Sequence, residues 1–154
     1  MSNPLNLFYS YCHQDNEQRD LLKRSLAMLK RNGIICEWYD GEITAGSDWS
    51  HQIIEKIQDA DIVVFLITTN WLHSDYCTGE WALAKSQVAK QPNKLLIPII
   101  AENCAWEDFD DMKSKQVLPK GGKPISTWEK EDEAWLGIYE GIKLAAQAQK
   151  KNSD

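Results

Sequence analysis

The chain has 154 residues, 43% of them hydrophobic and 26% charged, which is one soluble globular domain's worth of sequence and enough to bury a core. Its 17 basic against 23 acidic side chains leave a net charge of -6, a balance that disfavours attraction to a nucleic-acid backbone or an anionic membrane surface. Cys12, Cys36, Cys77 and Cys104 form no C-x-x-C pair, His13, His51 and His73 show no ligand spacing, and there is neither a leader pattern nor a long apolar run, so the expectation is a cytoplasmic protein with free thiols and no metal.

Leu5 to Tyr9 reads as a first strand, and Asp15 to Lys30 carries Leu21, Leu22, Leu26 and Leu29 at helical spacing up to Asn32-Gly33. Ile34 to Trp38 is a second strand, followed by a polar loop from Tyr39 to Ser47 that contains Gly41 and Gly46. Ser47 or Asp48 is placed to cap a helix running to about Gln58, and Asp59-Ala60-Asp61 turns the chain into a third strand, Ile62 to Ile67. A helix over Glu80 to Lys90 precedes a fourth strand, Lys94 to Ile100, and Cys104 to Leu118 suits short helical turns. Pro124 to Trp128 reads as a short edge strand, Glu131 to Gln149 as a last amphipathic helix, and residues 150–154 as a polar tail after a single domain spanning 1–149.

Strands alternating with helices, with continuously apolar central strands, predict an α/β fold: a flavodoxin-like five-stranded parallel sheet in the order 2-1-3-4-5 with helices on both faces. Such a sheet binds ligands beyond the carboxyl ends of its strands, where the strand order reverses. That rule gathers Ser10, Tyr11, Cys12 and His13 after strand one with the segment from Thr68 to Glu80 after strand three, and with Trp38 and Asp40 from strand two. The crevice lacks the acidic pair and phosphorylatable aspartate of a receiver domain. It also lacks the glycine-rich turn of a dinucleotide-binding or P-loop domain.

Phe8-Tyr9-Ser10-Tyr11-Cys12-His13 is a strand ending in Phe-x-Ser-Tyr. Trp38-Tyr39-Asp40-Gly41-Glu42-Ile43 is followed by Gly46 and Trp49. Ala60 to Ile67 leads through Asn70-Trp71-Leu72 into Ser74, Tyr76-Cys77 and Glu80, and Ile97-Pro98-Ile99 comes later. Together these boxes resemble the Toll/interleukin-1 receptor (TIR) domain family over nearly the whole chain, and in particular its bacterial NAD-cleaving members. The resemblance implies that the acid of those members corresponds to Glu80, with Tyr76 standing where they often have Trp. It also implies that Trp38, Asp40, Gly41, Ile43, Gly46 and Trp49 form a loop for self-association with other TIR domains.

Cleaving the nicotinamide-ribose bond of NAD+ creates an oxocarbenium-like centre, and the cationic pyridinium departs neutral. One carboxylate near the ribose therefore suffices, and Glu80 is the candidate. By position, Phe8 or Tyr9 together with Tyr11 would receive the nicotinamide, Ser10 and Ser74 would offer hydroxyls, Tyr76 would supply an aromatic face and Asp40 would close over the site. NAD+ would be substrate, with no cofactor, and the products would be nicotinamide with ADP-ribose or a cyclic ADP-ribose. The resemblance further implies activation by self-assembly in anti-phage defence, with a sensor domain or subunit outside this chain.

Each position also has an ordinary structural reading. A glutamate in the first turn of a helix is favoured by the helix dipole, Asp40 suits a turn, the tryptophans suit packing and Cys77 suits a small buried gap. Two other functions fit the same residues: a non-catalytic TIR adaptor for homotypic binding, and a nucleoside deoxyribosyltransferase-like enzyme.

Overall fold

The structure, a computed structural model, describes residues 3–39 and 49–153. Four parallel strands, β1 (Leu5–Ser10), β2 (Ile35–Trp38), β3 (Ile62–Ile67) and β4 (Leu95–Ile100), form one sheet in the order β2-β1-β3-β4. All six residues of β3 are buried, as a central strand covered on both faces requires. Phe8 of β1 lies beside Trp38 on one side and Val63 on the other, which fixes the register of the three strands.

Because successive side chains of a strand point to opposite faces, the sheet divides the interior into two cores. Leu5, Leu7 and Tyr9 enter the core formed with α1 (Asn16–Ser25), α2 (Ala27–Arg31) and α6 (Glu131–Ser153), where Leu22, Leu26, Leu29, Ile138 and Ile142 are fully buried. Phe8 enters the other core, with α3 (Trp49–Asp59), α4 (Thr69–His73) and α5 (Asp75–Gln87). In that second core Phe65 and Phe109 each pack edge-on against both Trp71 and Trp81, with centroid separations of 4.9–5.9 Å.

Three expectations are corrected. The helix expected over Asp15 to Lys30 is two helices that meet at Leu26, and the Ser25 hydroxyl donates to the carbonyl of Leu22 (2.8 Å), a local bond that competes with the helical ladder. The expected fifth strand is absent among the described residues. Pro124 has no N–H for a ladder, and Ile125–Thr127 instead makes a 3-10 turn in which the Thr127 hydroxyl donates to the carbonyl of Pro124 (2.7 Å). Among the described residues Leu118 alone pairs along the outer edge of β4, bridging Ile99, and Pro119 cannot extend the pairing. The helix expected from Glu80 starts at Asp75, because the Ser74 side chain accepts the N–H of Cys77 (3.1 Å) and caps it.

Around Cys104 to Leu118 the chain makes the short 3-10 turns Trp106–Asp108 and Met112–Ser114, with Trp106 and Met112 buried. Gly122 follows in the left-handed region (φ 77°), where a Cβ would stand 2.8 Å from the ring of Trp106. The last helix continues through Ser153, so the polar end beyond Gln149 is largely helical.

Candidate functional site

Strand order reverses between β1 and β3, and the carboxyl end of β1 is Ser10. Ser10 points to the α4–α5 side of the sheet. Its hydroxyl donates to Glu80 Oε1 at 2.7 Å and accepts the indole N–H of Trp71 at 3.1 Å. All three residues are buried, Glu80 at 5% exposure, so the chain Trp71 to Ser10 to Glu80 runs in a medium where each hydrogen bond counts for more than in water. Since α5 begins at Asp75, Glu80 stands in its second turn, beyond the first-turn reach of the helix dipole. The ordinary explanation for an acid at this position is thereby weakened.

A second buried carboxylate lies beside the first network. Asp15, 5% exposed, accepts the Thr68 hydroxyl at Oδ2 (2.5 Å) and the Asn70 amide at Oδ1 (3.0 Å), while Thr68 Oγ1 accepts the N–H of Trp71 (3.0 Å). Sequence reading missed Asp15, placing it only at a helix start. Its donors are 53 and 55 positions away, and no local pattern announces them.

A cavity of about 440 Å³ lies beside these networks and shares Asn70 with the second; Tyr11, Cys12, His13, Gln14, His73, Ser74, Tyr76 and Cys77 complete its lining. Tyr11 is buried and tilts against His13 at 5.5 Å, whereas Tyr76 is 36% exposed. Tyr76 stands one helical turn before Glu80 on α5, yet Glu80 is not on the cavity lining. A larger hollow of about 620 Å³ lies along α1 and α2 between Lys23, Arg24, Lys30, Arg31, Asp20 and Glu37. It lies against the edge strand β2 and not at the reversal between β1 and β3 where an open parallel sheet places its ligands, so the smaller cavity is the candidate site.

The expected contacts divide unequally. Ser10, Tyr11, Ser74, Tyr76 and Glu80 come together around the end of β1, although the Ser10 and Ser74 hydroxyls are already committed to Glu80 and to the Cys77 N–H. Phe8 and Tyr9 are not on the cavity lining. Phe8 is stacked on Trp38 (5.5 Å) in one core and Tyr9 on Tyr39 (4.9 Å) in the other, because neighbours on a strand face apart. Of the expected self-association loop, Trp38 is half-buried beneath Lys56 and Trp49 opens α3. Asp40, Gly41, Ile43 and Gly46 lie outside the described residues, as do the capping positions Ser47 and Asp48.

The helix that carries Tyr76 and Glu80 is tied down further along. Trp81 Nε1 and Lys85 Nζ both donate to Asp110 Oδ2 (3.0 and 2.7 Å), and Lys85 also reaches Asp111 (2.9 Å). The Lys85 ammonium, then the Trp81 indole, hold the Asp110 carboxyl below its usual range, while the two aspartates hold Lys85 above its own. At the far end of the sheet the buried Lys94 donates to the carbonyls of Ile57 (2.7 Å) and Ala60, satisfying the end of α3. Among the described residues no cluster of His, Cys, Asp and Glu is arranged to hold a metal ion, and no helix is long and apolar enough to cross a membrane.

A family model described as TIR domain matches residues 7–135. The chain is 36% identical over 141 residues to the protein y4lF of Sinorhizobium fredii (strain NBRC 101917 / NGR234), covering 92% of this chain and 43% of that one, so it spans less than half the relative's length. Among solved structures, the TIR domains of the activated Roq1 resistosome that directly recognizes the pathogen effector XopQ superpose with a TM-score of 0.66 at 15% identity, over 90% of this chain and 99% of that one. The TIR domain of the Toll-related receptor TRR-2 from Hydra magnipapillata gives 0.60 at 16%, over 89% and 97%. A prokaryotic SEFIR domain gives 0.53 at 15%, over 88% and 90%. These structural likenesses concern the fold.

Proposed function

The chain belongs to the TIR-domain family, and on that premise we propose that it is an NAD+ glycohydrolase or cyclase, cleaving the nicotinamide-ribose bond to give nicotinamide and ADP-ribose or a cyclic ADP-ribose. The observation that carries the reading is the buried pairing of Ser10 with Glu80 at the strand-order reversal, next to a cavity walled by Tyr11 and Tyr76. A carboxylate kept at that point, oriented by the Ser10 hydroxyl that the Trp71 indole in turn holds, suits a reaction whose transition state gathers positive charge on a ribose ring. Because the leaving pyridinium departs neutral, no general acid is required beside it. Tyr76 offers a flat face for one end of the substrate.

Activity would depend on assembly with other copies through the loop between β2 and α3, in a cytoplasmic anti-phage system whose sensor lies in another domain or subunit. A second reading is favoured by one observation. Glu80 is only 5% exposed and does not line the cavity, which suits a structural acid in a non-catalytic adaptor. Concentrated protein incubated with NAD+, with and without a crowding agent, separates the two when nicotinamide is followed by chromatography. Release that is lost in Glu80→Ala is expected; release that survives it removes Glu80 from the chemistry, and no release under any assembled condition favours the adaptor.

A further inference from the structure

Asn70 sits on α4 with its side chain between the buried Asp15 and the cavity. Three hydrogen bonds fix which way its amide faces. Thr68 Oγ1 already accepts the Trp71 N–H, so the Thr68 hydroxyl proton goes to Asp15, and Asp15 acts as acceptor at both oxygens. A carboxylate oxygen 3.0 Å from the Asn70 amide demands the NH2 end, since the reversed amide would set two acceptors against each other. The carbonyl oxygen is therefore the end of Asn70 left for the cavity, and no donor among the described residues reaches it.

That oxygen is an oriented acceptor on a cavity that Tyr76 also lines. Tyr11 is buried with its ring in the core of α1 and α6, so the aromatic surface that a flat ring entering the cavity meets is that of the part-exposed Tyr76, with one oriented acceptor at Asn70. We infer that Asn70 is a specificity-determining residue of this cavity, and that the cavity takes a planar heteroaromatic ring bearing an NH2 group, which donates to Asn70 Oδ1. The inference rests on the NAD+ reading for its choice of rings, since that molecule carries such a group at each end: the carboxamide of nicotinamide and the 6-amino group of adenine.

Ligand titrations followed by NMR on the whole chain test this without any turnover. The probes are nicotinamide against 3-acetylpyridine, and adenosine against purine riboside, each pair differing in the NH2 group. One pair is expected to show about a three- to tenfold preference for its amino member, the worth of one neutral hydrogen bond, and the pair that shows it identifies the end of the substrate held here. Asn70→Ser, which removes the carbonyl oxygen but keeps a small polar side chain near Asp15, is expected to abolish the preference while both members still bind. No preference in the parent for either pair, no binding of any probe, or a preference that survives Asn70→Ser overturns the inference. Selectivity without nicotinamide release from NAD+ leaves this inference standing and removes the catalytic reading; release without selectivity does the reverse.

Discussion

Ser10 and Glu80, seventy positions apart in sequence, are joined by a 2.7 Å hydrogen bond in which the serine donates. A buried carboxylate that loses such a donor keeps its desolvation cost, so Ser10→Ala is expected to destabilise the domain by about 1–3 kcal/mol in denaturant unfolding. In the nicotinamide assay Glu80→Gln should lower release by about 100-fold or more, with Ser10→Ala between it and the parent. Equal activity in all three proteins would show the pair to be structural.

The ammonium of Lys94 is the partner of carbonyls at the end of α3, and burial pushes its pKa below the ordinary lysine value. Lys94→Met keeps the bulk of the side chain but takes the ammonium from those carbonyls, leaving that of Ile57 with the N–H of Ala60. A loss of about 2–3 kcal/mol in unfolding free energy is expected, and a change within error would mean that water replaces the ammonium.

Asp110 sets a pH dependence whose sign follows from its lowered pKa. Its contribution is complete above the ordinary carboxylate range and disappears as pH falls through the lowered value, because the unfolded chain takes up the proton first. Stability measured from about pH 6 down to about pH 2 should therefore fall more steeply for the parent than for Asp110→Asn, and raised salt should narrow the difference, since the pair with Lys85 is exposed. Parallel curves would discount the interaction.

Gly122→Ala tests the loop that follows β4. The new Cβ would meet Trp106 at 2.8 Å at a positive φ, two penalties at one atom, and about 2 kcal/mol or more of destabilisation is expected by thermal or denaturant unfolding. A neutral result would mean that Trp106 swings aside.

Much of this architecture is legible along the chain. The run Ile62–Ile67 reads as a buried parallel strand because every residue is apolar, and it is one. The two-residue period of β1 sends Phe8 to one face and Tyr9 and Tyr11 to the other, which is why Phe8 and Tyr9 are alternatives and not partners at a ligand ring. Other features left a faint local trace or none. Pro124–Trp128 looks like an edge strand until the turn-forming Ser126 and Thr127 are weighed, and the pairing of Asp15 with Thr68 depends on β1 and β3 being neighbours. Long-range polar partners of this kind come from topology, which residue spacing alone does not encode.

The separation of the two cores by the sheet has a practical side. Leu136 and Leu144, both exposed on α6, stand across the sheet from α4 and α5, roughly a 10 Å layer spacing on either side of the strands. A dye or spin label attached at either position would report on how copies of the domain come together while leaving the cavity's own side chains untouched.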